Sequence, residues 1–448
     1  MKKNIWNSTR LYLATLAVTL SGALAACSND DNGIDPEPLQ REDIRVTEPE
    51  GGFAVEVDQL LRIAAETEAE GVSFLWTIDG EKVSTSQQLE YMFPAVGTYN
   101  LALTASKGEA SHRYEFTVTV SFGNVHPIAP DEATAYITQV FDFMPAVGQF
   151  TNQLPAYVEG DTQADMNQKV LAAIGNNNRG MVSLGGFGGY VVVGFDHTIE
   201  NREGLRDFRV LGNAFYSAAN PNTGAPEGGS CEPGIIMVAY DKNGDGEPNA
   251  DEWYEIAGSA HEAPTQELWY QMALGNGNDV NLYRNYSITY YRPEETMDDP
   301  LAAPIDEYIR WEDNRGHSGY KAKLQFHSQP YFPQWYEGDA LTFTGTCLPQ
   351  NGIDESGQGN YYVLYKFRYG YADNETNTKE EACIDIDWAV NSKGQKVHLP
   401  GVDFIKIYCG VNQENGWIGE CSTEICGVED LHILGEEVPT REQANRIQ

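Results

Sequence analysis

The chain has 448 residues, a length that favours two or three domains, and its 66 acidic and 29 basic residues give a formal net charge of −37. A surface this acidic repels the phosphates of nucleic acids, which excludes nucleic acid as a partner. The excess of carboxylates suits a solvated protein surface, and it also provides oxygen ligands for Ca²⁺.

Residues 1–26 have the pattern of a secretory signal peptide. Three basic residues among the first ten precede an apolar run over residues 11–26, which is shorter than the roughly 20 residues of a membrane-spanning helix. The run ends in Leu-Ala-Ala before Cys27; this junction resembles a lipobox, which implies cleavage before Cys27 and lipidation of its thiol. The acidic residues 28–31 resemble the surface-export signal of Bacteroidetes-type lipoproteins, which implies a lipid anchor in the outer membrane and exposure at the cell surface. An ordinary signal peptide with a cysteine nearby is the alternative.

Residues 44–122 are predicted to form a β-sandwich behind a polar, acidic linker at residues 27–43. The segment consists of short alternating stretches of apolar and polar residues separated by turn residues. Residues 74–80 and 97–103 resemble a PKD domain, which has an immunoglobulin-like fold. The resemblance implies that Trp76 belongs to the core and that the domain is a spacer or an interaction module.

Residues 123–435 are predicted to form a large jelly-roll-like β domain with one or two short helices, so the whole chain is predicted to be all-β. About ten strand-like segments are separated by turns rich in Gly, Asp and Asn, without the strand–helix alternation of an α/β protein. Residues 162–175 have helical periodicity and a capping pattern, whereas residues 133–143 fit either a helix or a strand. Residues 257–285 are predicted to be a surface insertion, and residues 436–448 a polar tail.

Six cysteines follow the proposed lipidation site: Cys231, Cys347, Cys383, Cys409, Cys421 and Cys426. An even number in an exported chain is compatible with three disulfides, and Cys421 with Cys426 could close a small loop. Buried free thiols are the alternative. The sequence has no C-x-x-C pair, which argues against a zinc ribbon.

Residues 241–252 match the calcium-loop pattern of an EF-hand at every specified position. The predicted ligands are Asp241, Asn243, Asp245, the carbonyl of Glu247, and Glu252. A strand rather than a helix is predicted before the loop, so it resembles the calcium loops between strands of secreted bacterial proteins. The prediction is a structural Ca²⁺ site, and an acidic turn without metal is the alternative.

A second acidic site is predicted from Asp373, Asp385 and Asp387. Residues 384–390 are predicted to be a strand, in which Asp385 and Asp387 would point to the same face. Such a pair could bind metal or perform acid–base chemistry, and a solvated sheet face is the alternative.

Aromatic residues are dense between residues 253 and 336, and exposed aromatics beside polar groups form platforms for flat, amphipathic ligands such as sugars. Trp269 and Tyr270, in the predicted surface insertion, are the candidate ligand-binding residues. The sequence contains neither G-x-S-x-G nor H-E-x-x-H, and no catalytic residue is predicted.

Four further stretches carry a resemblance: residues 182–190, 193–197, 416–420 and 429–432. Together with the PKD-like segment and the lipobox, they resemble Bacteroidetes-type PKD-containing cell-surface lipoproteins. The resemblance implies a role beside a TonB-dependent transporter that takes up glycans or corrinoids. Three functions follow: a calcium-stabilised ligand-binding module, a glycan hydrolase or lyase, or an adhesion or structural protein. A cleft lined by aromatics would favour the first, a buried carboxylate pair in that cleft the second, and a convex surface without a pocket the third.

Overall fold

The computed structural model describes residues 38–57, 59–93, 97–122, 132–217 and 226–440. The predicted signal peptide, Cys27 and most of the predicted linker lie outside the described residues. Within them, no helix is long and apolar enough to cross a membrane.

Residues 38–122, here called the N-terminal sandwich, contain seven strands. They are β1 (Phe53–Glu56), β2 (Leu60–Ala64), β3 (Ser73–Ile78), β4 (Glu81–Ser84), β5 (Gln88–Met92), β6 (Gly97–Lys107) and β7 (Ala110–Ser121). One sheet has the order β1-β7-β6-β3-β4, and β2 pairs with β5 in a second sheet. Apolar side chains of both sheets share one core around Trp76, which is fully buried and donates its indole N–H to the Ser86 carbonyl over 2.9 Å. The prediction that Trp76 belongs to the core is confirmed.

The rest of the chain is also built mainly from strands. They are β8 (Gln139–Met144), β9 (Val182–Ser183), β10 (Tyr190–Glu200), β11 (Leu205–Arg206), β12 (Phe208–Leu211), β13 (Phe215–Tyr216), β14 (Gly228–Ser230), β15 (Gly234–Ala239), β16 (Trp253–Ile256), β17 (Tyr283–Tyr291), β18 (Ile305–Asp313), β19 (Ser318–Lys323), β20 (Ala340–Cys347), β21 (Gly352–Asp354), β22 (Tyr362–Tyr365), β23 (Cys383–Ile384), β24 (Ala389–Val390), β25 (Gly401–Cys409), β26 (Glu424–Ile425), β27 (Gly427–Asp430) and β28 (Val438–Pro439). The helices are α1 (Gln163–Ile174), α2 (Ser259–Glu262), α3 (Tyr270–Asn276), α4 (Glu295–Asp298) and α5 (Leu431–Leu434). The predicted all-β class is confirmed.

A six-stranded sheet with the order β24-β16-β15-β25-β10-β8 lies at the centre of this larger region. Its middle strands are nearly continuous apolar runs, which is typical of strands covered on both faces. One face packs into the core that also contains Trp76, and the ring of Phe122 lies 5.9 Å from that of Tyr240. The other face shares a second core with the four-stranded sheet β19-β18-β17-β20. The sheets therefore pack in layers, as in a β-sandwich.

Helix α1 begins and ends where the sequence predicts. Thr162 accepts the backbone N–H of Asp165, the Asp165 carboxylate accepts the backbone N–H of Thr162, and Gly175 is the C-cap. The segment that fitted either a helix or a strand contains β8. Residues 257–285 are not simply a surface insertion, because they include α2, α3 and the start of β17.

All six cysteines of the described residues are free thiols, and five of them are buried. The structure therefore shows free, mostly buried thiols rather than three disulfides. Cys421 and Cys426 do not close a loop, and the thiol of Cys409 contacts the Cys421 carbonyl over 3.3 Å.

Candidate functional site

The loop over residues 241–252 joins β15 to β16 and is folded around its acidic side chains. Asp241 accepts the backbone N–H groups of Gly244 and Gly246 over 2.7 and 2.8 Å. Gly244 and Gly246 have φ angles of 73° and 75°, in the left-handed region that favours glycine. Glu252 is almost fully buried and accepts the backbone N–H of Lys242 over 3.0 Å. All five predicted ligand positions thus lie in one compact turn.

The donor set of this loop fits Ca²⁺, a hard cation that prefers carboxylate, amide and carbonyl oxygens. Burial raises the pKa of Glu252, and the Asn249 amide that donates to Asp245 lowers the pKa of Asp245. The carboxylate oxygens are held by N–H groups of the loop itself. The one group of acidic side chains, within the described part of the chain, whose oxygens lie close enough together to hold a metal ion is in a different place. Calcium binding by this loop therefore remains a prediction.

The predicted second acidic site does not exist as a cluster. The predicted strand over residues 384–390 is interrupted by a 3-10 helix, Ile386–Trp388, and Asp385 caps it by accepting the Asp387 backbone N–H over 2.8 Å. Asp387 instead contacts His398, whose ring nitrogen lies 2.7 Å from its carboxylate. Asp373 belongs to a different group of carboxyls. The prediction was wrong because Asp385 and Asp387 lie in a local turn rather than in a strand, where side chains two residues apart point to the same face.

That different group, here called the carboxyl cluster, consists of Glu232, Asp373 and Glu424. All three residues are buried, and side-chain oxygens of the three lie within 4.8 Å of one another. Glu232 precedes β15, and Glu424 begins β26, which pairs with β9. Asp373 lies in a connection between strands with a φ angle of 48°, a left-handed conformation that aspartate tolerates better than most residues.

Hydrogen bonds fix the carboxyl cluster from several elements. The two oxygens of Glu232 accept the Ser422 backbone N–H over 3.0 Å and the Ser230 hydroxyl over 2.9 Å. The Ser422 hydroxyl donates to Glu424 over 2.8 Å. Asp373 accepts the backbone N–H groups of Asn213 over 2.7 Å and Glu424 over 2.9 Å. These bonds hold the acidic side chains together despite their mutual repulsion.

Burial controls the ionisation of the carboxyl cluster. It raises the pKa of Glu232 to about 7. Burial first, and then repulsion from Glu232, raises the pKa of Asp373 and of Glu424 well above their ordinary values. The three groups cannot all be ionised at neutral pH without a cation, so the cluster either shares protons or holds positive charge.

An open cavity of about 730 Å³ lies directly above two members of the cluster, Glu232 and Glu424. Its wall is mainly apolar and aromatic, and the sheet β13-β14-β22-β21 contributes part of it. We call it the aromatic cavity; the aromatic side chains that line it are Phe150, Phe215, Phe326, His327, Tyr361, Tyr362 and Trp417. Its volume is within the range of about 300–1,000 Å³ that is typical of small-molecule sites.

Three aromatic side chains of this cavity are unusually exposed. Phe326 is 95% exposed, Trp417 66% and Phe215 58%. Trp417 is nevertheless held in place, because its indole N–H donates to the Asn360 carbonyl over 3.3 Å. Large exposed aromatic side chains around a concave surface usually mark a binding site.

The predicted ligand-binding residues Trp269 and Tyr270 lie elsewhere, and the prediction that Trp269 is exposed was wrong. Trp269 is fully buried, donates its indole N–H to the Lys366 carbonyl over 2.9 Å, and packs edge-on against Phe367. It precedes α3, whose Ala273 enters the same core. Tyr270 is half-buried against this core. The prediction placed Trp269 in a surface insertion, whereas residues 257–285 include α2 and α3 and Trp269 packs into the core.

Sequence reasoning missed the carboxyl cluster and most of the aromatic cavity. The one local signal is the order Cys-Ser-Thr-Glu-Ile-Cys at residues 421–426, where a single charge stands in a run of small and apolar residues. Such a charge is rarely buried without a partner. Nothing local to Glu232 or Asp373 indicates that they meet Glu424.

A family model described as a PKD-like domain matches residues 43–107, within the N-terminal sandwich. No curated protein sequence matches the chain. Part of the chain resembles a quinonprotein alcohol dehydrogenase-like protein from Bacteroides thetaiotaomicron, with 13% identity, a TM-score of 0.15, and coverage of 34% of this chain and 33% of that one. Another likeness is to SGBP-B of a Bacteroides ovatus mixed-linkage glucan utilization locus, solved with a mixed-linkage heptasaccharide, with 16% identity and a TM-score of 0.15. It covers 40% of this chain and 38% of that one.

The chain thus spans 33% and 38% of the length of these two solved structures. At such TM-scores the function has to be argued from the site itself.

Proposed function

We propose that the protein is a surface-exposed lipoprotein that captures a small amphipathic ligand, a glycan or a corrinoid, in the aromatic cavity and acts beside a TonB-dependent transporter. The observation that carries the proposal is the ring of exposed aromatic side chains, Phe215, Phe326 and Trp417, around a concave site. Flat apolar faces of sugars pack on such rings, and polar groups below them orient the hydroxyls. A cavity of this kind is not expected of a purely adhesive or structural protein.

Among the two ligand classes, the shape of the cavity favours a glycan. A volume of about 730 Å³ accommodates a short oligosaccharide, whereas a corrinoid with its nucleotide loop would extend well beyond it. Exposed polar side chains that line it, among them Asn213 and Gln325, can donate and accept hydrogen bonds as sugar hydroxyls require. The proposal therefore commits to an oligosaccharide first and retains the corrinoid as the second ligand class.

A second candidate function is a glycan hydrolase or lyase, and the pair Glu232 and Glu424 favours it. Burial that raises the pKa of Glu232 to about 7 would suit a general acid at neutral pH. Oxygens of the two groups lie within 4.8 Å, closer than the about 6.5–9.5 Å between the carboxyls of inverting glycosidases and nearer to the 5–5.5 Å of retaining ones. The near-complete burial of both groups argues against access by a substrate and makes catalysis the weaker alternative.

Surface anchoring through Cys27 and stabilisation by calcium complete the proposal. The lipobox-like junction at residues 24–27 supports the anchor, and the sequence of the 241–252 loop supports the ion. A lipid-anchored binding protein would raise the local concentration of ligand at the membrane, where a transporter could accept it.

A binding screen with the full chain tests this function. The panel contains neutral oligosaccharides of several linkages and cobalamin, and binding is measured by the change in intrinsic tryptophan fluorescence and by calorimetry. We expect at least one oligosaccharide to bind and to emerge unchanged after prolonged incubation. Cleavage of the bound oligosaccharide would support the hydrolase or lyase instead, and absence of binding across the panel would refute the capture role.

A further inference from the structure

A second cleft, of about 460 Å³, lies between the six-stranded sheet and the strands β17 and β20. Unlike the aromatic cavity, it has charged side chains of both signs in its lining, Lys406, Arg284 and Glu255, beside polar and apolar ones. We call it the cationic cleft, after Lys406 on β25 and Arg284 on β17, which both line it. Two cations in one cleft are unexpected in a chain with a net charge of −37.

Lys406 occupies the middle of β25, a strand whose one other charged residue is Asp403. Its neighbours across the sheet are Val192 on β10 and Met237 on β15, and residues directly opposite one another point to the same face. The ammonium lies 4.1 Å above the ring of Tyr190. Within the described part of the chain it forms no hydrogen bond and no ion pair. Packing on the Tyr190 ring is the contact that the chain itself gives this half-buried ammonium, and it leaves the N–H donors of Lys406 without an acceptor among the described residues.

Two carboxylates act on the cleft, and both have other partners: Glu255 lines it, and Asp142 attracts Lys406 from outside the lining. Asp142 accepts the Tyr190 hydroxyl over 2.6 Å. Glu255 lies 2.7 Å from a ring nitrogen of His261 and accepts the Thr346 hydroxyl over 2.8 Å, and these contacts hold its pKa below the ordinary value despite burial. Neither carboxylate lies within ion-pair distance of Lys406.

Arg284 supplies the second charge from the opposite wall. It lies where the pairing of β17 with β20 shifts between Tyr283 and Tyr286, and such a bulge redirects side chains out of the regular alternation. Its guanidinium acts on Glu255 through space but forms no ion pair with any described residue. Burial lowers the pKa of Lys406, which shows that water does not fully solvate its charge.

We infer that the cationic cleft binds an oxyanion carried by a hydroxylated small molecule, that is, an acidic sugar with a carboxylate or a sulfate. Lys406 and Arg284 would hold the anionic group, because charge-assisted hydrogen bonds from two sides position an oxyanion. Neutral polar groups of the cleft, among them Thr344 and Asn391, suit the hydroxyls, and the half-buried ring of Trp253 provides an apolar face. This inference does not depend on the function of the aromatic cavity.

Calorimetry with the full chain tests the inference with three sugars: D-glucuronate, D-glucose 6-sulfate and D-glucose. We expect one or both acidic sugars to bind and glucose not to bind, and the better of the two identifies the preferred oxyanion. Binding should weaken as ionic strength rises, because both cations are partly exposed to solvent. Equal binding of glucose, or no binding of either acidic sugar, would overturn the inference.

Two variants locate the site. Arg284→Gln changes an exposed side chain and should fold normally, and Lys406→Met retains the apolar stem of the lysine. Each should weaken binding of the preferred acidic sugar by about 10- to 100-fold, the usual effect of removing one hydrogen bond to a charged group. Lys82→Gln, which removes the same charge from an exposed position in β4, and Trp417→Ala in the aromatic cavity should leave it unchanged. Full affinity in both cleft variants would place the ligand elsewhere.

Discussion

The backbone N–H of Glu424 donates to the carboxylate of Asp373 over 2.9 Å, and this bond places two buried acidic side chains together beneath the aromatic cavity. Glu232 completes the group from a third element. Burial of three carboxyls opposes folding unless protons or a cation compensate their charge. Two of them, Glu232 and Glu424, also line the aromatic cavity, so the group bears on the ligand site as well as on stability.

The first prediction concerns the pH dependence of stability. Glu232 has an ordinary pKa of 4.5 that burial raises to about 7, so the folded state binds its proton more tightly than the unfolded state. The contribution of Glu232 to stability should therefore be fully present below about pH 4.5 and be lost as pH rises to about 7. Thermal melts of the wild type and of Glu232→Gln across this range measure the difference.

Glu232→Gln should show a flatter profile and should be more stable than the wild type at pH 8, by on the order of 1–3 kcal/mol. Glu109→Gln, at an exposed turn between β6 and β7, is the matched control and should follow the wild type. Other buried acids, such as Glu420, whose pKa burial raises to about 8, add to the slope in both proteins. Parallel profiles for the wild type and Glu232→Gln would show that this carboxyl is not the titrating group.

The second prediction concerns calcium. An ion that binds only the folded state stabilises it by RT ln(1 + [L]/Kd), about 2.7 kcal/mol at a 100-fold excess over Kd. A chelator should therefore lower the melting temperature of the wild type. Asp245→Ala should remove most of this effect, whereas Asp251→Ala should retain it, because Asp251 lies in the same loop but at no ligand position. If calcium and chelator leave the wild-type melt unchanged, the loop is an acidic turn.

The third prediction concerns the lipid anchor. Cys27→Ala should abolish incorporation of labelled fatty acid and release the protein from the membrane fraction, because the thiol is the acceptor at the lipobox-like junction. Cys426→Ala is the control, since that cysteine lies far along the chain and should not affect labelling. Undiminished labelling of Cys27→Ala would refute the assignment.

The sequence predicted those features of the fold that depend on local pattern. Helix α1 follows from its periodicity and its Thr162 cap, and the burial of Trp76 follows from the resemblance of residues 74–80 to a PKD domain. The carboxyl cluster could not be predicted, because Ser422 and Glu232, which bond within it, are 190 positions apart. The burial of Trp269 is likewise a tertiary effect, since its indole bonds to the carbonyl of Lys366, 97 positions away.

The fourth prediction concerns the boundary of the N-terminal sandwich. Leu39 is buried in the core that contains Trp76, and its carbonyl lies 2.9 Å from a ring nitrogen of His112 on β7, whereas the buried ring of Phe122 contacts Tyr240 of the larger region. A fragment of residues 38–122 should therefore fold alone, with β-type circular dichroism and a cooperative melt. A fragment of residues 44–121, which lacks both side chains, should be less stable by roughly 2–5 kcal/mol. A disordered longer fragment would show that the sandwich requires the larger region.

The most direct measurement of the central claim is the affinity of the best oligosaccharide from the binding screen for three proteins: the wild type, Trp417→Ala and Leu301→Ala. Leu301 is 92% exposed and does not line the aromatic cavity, so Leu301→Ala controls for the loss of a large exposed apolar side chain. Stacking on an aromatic side chain contributes about 0.5–1.5 kcal/mol beyond area burial. Because Trp417→Ala loses both the stacking and the buried contact area, we predict at least a tenfold weaker affinity at an unchanged melting temperature. The Leu301→Ala affinity should equal that of the wild type. Equal affinities in all three proteins would contradict the claim that the aromatic cavity captures the ligand.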